Sequence, residues 1–204
     1  LEKLADKGNG NYGYVDSAAE ARRLLVEQAG GTLVTVAKDV KVQVEFNPAQ
    51  VLEYRLIGYE TRMLAREDFN NDQVDAGDVG ARASVTALYE ITPAGARPSA
   101  DPLRYRSARP AAAPGAELAY LKIRYKLPGE SRSRLMERPV GRADAVGSLA
   151  AAPEPTRWAV AVAAFGQKLR GDPRVSDSFG WNDIVTLAQS ARGADPFGER
   201  AEFV

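Results

Sequence analysis

Residues 34–46 alternate between apolar and polar side chains, and this stretch constrains the fold more than any other part of the chain. One parity carries Val34, Val36, Val40, Val42, Val44 and Phe46. The other parity carries Lys41, Gln43 and Glu45. Because successive side chains of a strand point to opposite faces of its sheet, a period of two predicts a strand with one buried face. We expect the valine side to be the buried one.

A second alternating run follows after a break at Asn47-Pro48. It places Leu52, Tyr54 and Leu56 opposite Glu53 and Arg55. Proline cannot donate to a sheet ladder and Asn-Pro favours a turn, so the two runs predict an antiparallel hairpin over residues 32–59. Further strands are expected over Ser84–Ile91, Glu117–Leu127 and Ser133–Val140, the last two joined by a Pro128-Gly129 turn. Strands separated by such breaks are typical of a β-sandwich.

Helical periodicity replaces the strand pattern near residue 150. Two amphipathic helices are predicted, Pro153–Arg170 before Gly171 and Trp181–Arg192 before Gly193, because glycine commonly follows the end of a helix. A third should begin at Pro196 with Asp195 as its N-cap. We expect one apolar cluster of Trp158, Phe165, Trp181 and Leu187, which assigns both tryptophans to packing rather than to a ligand cage.

The first 31 residues have the pattern of a separate unit. Asn11–Val15 is a candidate strand, and Ser17 with Glu20 matches the capping box of a helix that should end at Gly30-Gly31. We therefore predict an α+β chain in three regions: a remnant of an α/β domain at 1–31, a β-sandwich-like module at 32–150, and a truncated helical segment at 151–204. The opening LEKLADKGNG has neither an initiator methionine nor a signal peptide, so we expect a piece of a longer protein.

Composition narrows the chemistry that the chain can perform. Its 204 residues include no cysteine and no histidine, which removes thiolate chemistry, the usual general base and the commonest metal ligand. Basic and acidic residues number 27 each, so no net charge favours nucleic acid. No apolar run approaches the roughly 20 residues that span a bilayer. We expect a protein that is not an enzyme and that contains no transmembrane segment in this stretch.

The acidic segment Asp68–Gly80 is the strongest candidate for a binding site. Its oxygen-bearing candidates are Asp68, Asn70, Asp72, Asp75 and Asp78. The first three have the 1, 3, 5 spacing of a calcium loop. The pattern then departs from such a loop, because Gln73 stands where glycine is needed and Val79 where a bidentate carboxylate belongs. We interpret the segment as a solvated connection between strands, with a calcium-stabilised structural module as the alternative.

Basic residues share one parity of the predicted strand Glu117–Leu127. They are Lys122, Arg124 and Lys126, and Arg104, Arg106 and Arg109 lie nearby in the sequence. Outward charges on a half-exposed strand usually form a solvated face and protect a sheet from edge-to-edge association. We expect such a face here rather than a basic binding patch, with Ala119, Leu121, Ile123, Tyr125 and Leu127 facing inward.

Three stretches of the chain resemble a known bacterial family. They are LADKGNGNYGYVDSAAEARRLLVEQAGGTLVTVAKDVKVQVEFNPAQVLEYRLIGYETR, GDVGARASVTALYEI (Gly77–Ile91) and GWNDIVTLAQSARGADPFGERAEFV (Gly180–Val204). The likeness is to von Willebrand factor type A proteins of the YfbK-like family. The first thirty residues resemble the end of the type A domain, and the remainder resembles the family's C-terminal region.

This resemblance implies context more than chemistry. Type A domains of the family carry a metal-ion adhesion site, but its Asp-x-Ser-x-Ser loop does not occur here, so no metal-site residue is carried over and a divalent metal is expected only upstream. The resemblance implies a non-catalytic module that supports protein–protein interaction or adhesion by orienting the metal-dependent type A domain. It also implies a place in the bacterial cell envelope or periplasm, with a lipid anchor on the missing N-terminus as one option.

Overall fold

A computed structural model describes residues 13–22, 24–25, 34–58, 63–99, 117–175 and 179–204. Its strands are β1 (Thr35–Phe46), β2 (Val51–Ile57), β3 (Gly77–Gly80), β4 (Leu88–Pro93), β5 (Glu117–Lys126) and β6 (Arg134–Gly141). Its α-helices are α1 (Ala18–Arg22), α2 (Glu154–Leu169), α3 (Trp181–Ser190) and α4 (Glu199–Phe203), with 3-10 turns at Arg66–Asn70, Arg142–Asp144 and Leu149–Ala151. The predicted α+β class, with antiparallel sheets and mostly C-terminal helices, is confirmed.

The strands belong to two sheets. The larger sheet has the strand order β3-β1-β5-β6, and the smaller pairs β2 with β4. β1 runs antiparallel to β3, and β2 runs antiparallel to β4. The chain divides into two compact units. Unit 1 comprises Leu1–Glu45, Leu64–Val85 and Leu121–Arg138, and unit 2 comprises Phe46–Met63, Thr86–Tyr120 and Pro139–Val204.

The predicted hairpin between β1 and β2 is wrong, because these strands lie in different sheets. Asn47 provides the physical reason. Its side-chain oxygen accepts a hydrogen bond from the Ala49 N–H at 3.0 Å, and its side-chain amide donates to the Glu117 carbonyl at 2.9 Å. Its backbone N–H also donates to the Leu118 carbonyl at 2.9 Å. The turn is therefore bound to the start of β5, and β2 pairs with β4 instead.

The predicted burial of the valine side of β1 is also wrong. Val34, Val36 and Val42 are 55%, 45% and 57% exposed, whereas Lys41 is only 3% exposed. A distant part of the chain decides which side is covered, since the Lys41 ammonium reaches backbone carbonyls of the acidic segment. We call the uncovered side, with Val34, Val36 and Val42, the valine face. The side with Lys41 is the lysine face.

The other apolar positions of the expected hairpin are buried only in part. Val40, Val44 and Leu56 are half-buried, and Tyr54 is exposed. Tyr54 nevertheless stacks on Phe46 with their ring centroids 4.4 Å apart. Asp39 has a left-handed φ of 50°, and the register of β1 against β3 is irregular around it. An extra residue in one strand interrupts the pairing of the ladder. Strict alternation of buried and exposed side chains then no longer predicts which face is covered.

The two long C-terminal helices confirm the sequence prediction. α2 ends before Gly171 and α3 before Gly193, whose φ values of 66° and 63° are those of a left-handed helix stop. The third helix begins later than expected, at Glu199 rather than Pro196. Asp195 still acts at its start, because its carboxylate accepts a hydrogen bond from the Ala201 N–H at 2.8 Å.

α2 packs on α3 through small side chains. The buried residues of these helices and the turn after them are Ala161, Ala164, Ile184, Ala188 and Ala191. The predicted aromatic cluster forms through Phe203, whose ring lies 5.3 Å from Trp158 and 5.1 Å from Phe165. Phe165 in turn contacts Trp181 at 5.9 Å. Trp181 remains exposed and Leu187 is half-buried, so the deepest packing is made by alanine rather than by tryptophan.

The N-terminal region matches its prediction only in part. The Ser17 hydroxyl accepts a hydrogen bond from the Glu20 N–H at 3.1 Å and so caps α1 as expected. Gly13–Val15 is not a strand, and the remainder of that predicted strand and the Gly30-Gly31 stop lie outside the described residues. The strand predicted from Ser84 is shorter, because β4 begins at Leu88.

Replacement of Ala161 by leucine should destabilise unit 2. Ala161 is fully buried between helices, and overpacking of this kind typically costs about 1–3 kcal/mol of unfolding free energy. The matched control is Val162→Leu, because Val162 is the next residue of α2 and is exposed. Urea denaturation followed by tryptophan fluorescence measures both variants. Equal stability of the two would contradict the close packing of α2 on α3.

Candidate functional site

The acidic segment covers the lysine face of the unit 1 sheet. Its Phe69 side chain is buried, and the Arg124 guanidinium lies 5.7 Å from the centre of that ring. The Lys41 ammonium donates to the carbonyls of Asn71 and, at 3.2 Å, Asp68. Lys126 donates to the carbonyl of Asp72 at 2.9 Å. Two lysine side chains thus supply the positive charge toward which the carbonyl oxygens of this segment point.

Each of the five predicted calcium ligands has a hydrogen-bond partner within the protein. The Asn70 side-chain oxygen accepts from Arg124 at 3.0 Å, and the Asp72 carboxylate accepts from the Ser133 N–H at 3.2 Å. Asp78 accepts from the Asp39 N–H at 3.1 Å, Asp75 is hydrogen-bonded to the Asp39 side chain, and Asp68 contributes its backbone carbonyl. Among the residues that the structure describes, no three carboxylates are grouped so that they could hold a metal ion. The calcium alternative therefore stays a prediction.

Asp39 connects β1, the acidic segment and β5. Its carboxylate forms an ion pair with Lys126 at 2.7 Å and accepts from the Ala76 N–H at 3.2 Å. Burial opposes the charge on Asp39, but these hydrogen bonds outweigh it, so the pKa of this carboxyl lies below its usual value. The hydrogen bond to Asp39 raises the pKa of Lys126 and, together with burial, raises the pKa of Asp75. The charged forms of Asp39 and Lys126 are thus favoured at neutral pH.

The solvated basic face predicted on β5 is wrong for Arg124 and Lys126. Both side chains lie against the acidic segment, and the Lys126 side chain is only 13% exposed. The physical reason is that the acidic segment supplies acceptors that cover this face. Arg104, Arg106 and Arg109 lie outside the described residues.

Unit 2 contains a cleft of about 300 Å³ that the sequence did not indicate. The residues that line it come from β2, β4, α2 and the turns beside α2: Arg55, Ile57, Glu90, Leu149, Val160, Ala164, Gln167, Arg174, Val175 and Phe179. Most are apolar, and the polar ones lie around Arg55. Concave apolar surfaces with a few convergent polar groups are the usual form of ligand sites. We call this feature the unit 2 cleft.

Asp172 organises the polar side of the unit 2 cleft. It accepts hydrogen bonds from the Arg174 N–H at 3.0 Å and the Gln167 side chain at 3.2 Å, and it forms an ion pair with Arg55 at 3.0 Å. Arg55 is also paired with Glu90. The backbone N–H of Arg174, then the Gln167 amide and Arg55, lower the pKa of Asp172 to about 2. The carboxylate is therefore ionised at neutral pH and holds Arg55 in place.

Comparison with known proteins identifies the family. The sequence profile described as "Uncharacterized protein YfbK, C-terminal" matches residues 31–204. The chain belongs to this YfbK C-terminal family. A relative named "Uncharacterized protein YfbK" from Escherichia coli (strain K12) is 48% identical over 206 residues. That match covers all of this chain but 35% of the relative, so the chain spans about a third of its length. No solved structure matches.

The polar centre of the cleft in this YfbK-family chain had little signal in the sequence. Arg55 fits the outward parity of β2, and Asp172 follows the helix-stop glycine of α2. The helix stop is a local signal, but the pairing of Arg55 with Asp172 is not, because the two residues are 117 positions apart.

In the ranges that the structure describes, every helix is too short or too polar to cross a membrane.

Replacement of Lys41 by methionine should lower stability although it removes a buried charge. The carbonyls of Asp68 and Asn71 would lose their donor, and a buried acceptor without a partner costs about 1–3 kcal/mol. Lys38→Met is the control, because Lys38 lies on the same strand but is exposed. Urea midpoints give the comparison. If Lys41→Met were as stable as the control, the buried ammonium would make no net contribution to the free energy of unfolding.

Stability should depend on pH in the acid range through Asp172. Its pKa of about 2 in the folded chain lies below the model-peptide value of 3.8, so its contribution is complete above the unfolded value. That contribution is lost as the pH falls from about 4 to about 2. Unfolding measured between pH 7 and pH 2 should show a shallower acid decline for Asp172→Asn, which also starts from a lower stability. An unchanged acid decline would contradict the bonding described for Asp172.

Proposed function

We propose that this YfbK C-terminal region is a non-catalytic interaction module that binds and orients a metal-dependent type A domain. The observation that carries the proposal is the exposed valine face of unit 1. Exposed apolar surface on a soluble protein commonly marks a protein interface. The acidic segment covers the opposite face, whereas Val34, Val36 and Val42 are exposed.

The type A domain is the partner that the sequence supports. Residues 1–30 resemble its last strand and helix, and β1, whose side chains form most of the valine face, begins shortly after them at Thr35. Absence of histidine and cysteine across the 204 residues supports a binding role over hydrolase or redox chemistry. On this proposal any metal is held by the type A domain and no cofactor by this region. The bacterial cell envelope is the proposed location, on the same resemblance.

Binding of a separately expressed type A domain to this chain tests the proposal. The type A domain of the longer parent is titrated into the 204-residue chain with magnesium, and binding is measured by calorimetry. The double variant Val36→Asp/Val42→Asp should lose binding, because each carboxylate would have to be desolvated in the interface. Turnover of hydrolase, transferase or redox substrates is expected to be absent.

Val85→Asp is the matched control for this test. Val85 is 86% exposed, belongs to unit 1, and lies outside the strands of the sheet. The Val85→Asp variant should therefore bind the type A domain as tightly as wild type does. Equal binding by the double variant would exclude the valine face as the interface. No binding by wild type would contradict the proposed pairing itself.

A further inference from the structure

We propose that the unit 2 cleft binds the C-terminal residue of a peptide, with its carboxylate on Arg174 and its apolar side chain between the apolar walls. The cleft belongs entirely to unit 2, whereas the valine face belongs to unit 1. This inference therefore does not depend on the proposed function. It rests on the lining of the cleft, on the partners of its charged groups, and on its size.

The walls of the cleft are suited to one apolar group. Ile57 comes from β2, Val160 and Ala164 come from α2, and Phe179 precedes α3. The volume of about 300 Å³ is at the lower end of the range for ligand sites. The cleft is shallow and broadly open to solvent, so the preceding part of a peptide can leave into water. A single anchoring residue fits this geometry better than a large enclosed ligand.

The charged groups of the cleft leave one cation available. Arg55 is held between two carboxylates, Glu90 and Asp172, and so is not available to a ligand anion. The backbone N–H of Arg174 is bound to Asp172, but its guanidinium has no hydrogen-bond or ion-pair partner among the described residues. An arginine guanidinium matches a carboxylate in a bidentate geometry. One carboxylate is therefore the anion that this cleft can accept.

Charge complementarity also limits what else can bind. Glu90 lines the same cleft as Arg174, so a ligand with a second anionic group would meet repulsion. A ligand with a cationic end would meet the Arg174 charge instead. A C-terminal leucine or phenylalanine carries one carboxylate and one apolar side chain on the same residue. It satisfies both parts of the cleft without a further charge.

Fluorescence anisotropy with two matched peptides tests the inference on the full 204-residue chain. The first probe is fluorescein-Gly-Ser-Gly-Ser-Gly-Phe with a free carboxylate, and the second is the same peptide with a C-terminal amide. The free acid should bind about tenfold more tightly or better, as expected for a hydrogen-bonded charge pair. A third probe that ends in serine should bind weakly, because it lacks the apolar group.

Two pairs of variants assign the contacts. Arg174→Gln should remove the difference between acid and amide, whereas Arg192→Gln, at an exposed arginine outside the cleft, should keep it. Leu149→Ser should weaken both probes equally, whereas Leu169→Ser, at an exposed leucine of α2 outside the cleft, should not. Circular dichroism confirms that each variant is folded.

Four results would overturn the inference. The first is no binding of the free-acid probe at millimolar concentration. The second is equal binding of acid and amide by wild type, and the third is a difference between them that survives in Arg174→Gln. Binding of free 3-phenylpropionate as tightly as the peptide would also reject a peptide as the occupant, because the preceding residues would then contribute nothing.

Discussion

The hydrogen bonds from two lysine ammonium groups to the acidic segment are the interaction on which unit 1 depends. An ammonium group is costly to remove from water unless acceptors replace its hydration. The carbonyls of Asp68, Asn71 and Asp72 are those acceptors, and Asp39 adds a carboxylate for Lys126. Because Lys41 is almost fully buried, its ammonium depends on these carbonyls in place of water. The covered face is therefore polar, and the valines of the opposite face are exposed.

Local signals in the sequence predicted the helices well. The Ser17 hydroxyl, Gly171 and Gly193 act on backbone groups within a few residues, so their effect can be inferred without knowledge of the rest of the fold. The Pro128-Gly129 turn between β5 and β6 is of the same kind, and Gly129 has the positive φ that such a turn needs. The apolar stripes also identified the aromatic residues that meet around Phe203, although the closest packing is made by the smaller alanines.

Non-local pairing explains what the sequence could not predict. Alternation in β1 showed that its two faces differ, but the choice of the covered face depends on a segment about thirty residues later. The partner of β2 was missed for a similar reason, since Asn47 is bound to residues seventy positions away. The predicted site residues belong to one segment of the chain, but their partners Lys41, Arg124 and Lys126 come from β1 and β5. The unit 2 cleft could not be predicted, because its polar side depends on the contact between Arg55 and Asp172, which no short motif encodes.

The distance along the chain between the acidic segment and β5 has a consequence for the order in which unit 1 can form. Lys126 follows its acceptor Asp72 by 54 residues, and Asp39 precedes Lys126 by 87. During synthesis β1 and the acidic segment leave the ribosome before β5, so Lys41 can join them before Lys126 exists. Contacts of such long range are made late, since loop closure must precede their gain in free energy. One edge of β1 therefore lacks its partner strand in the nascent chain until β5 has been synthesised.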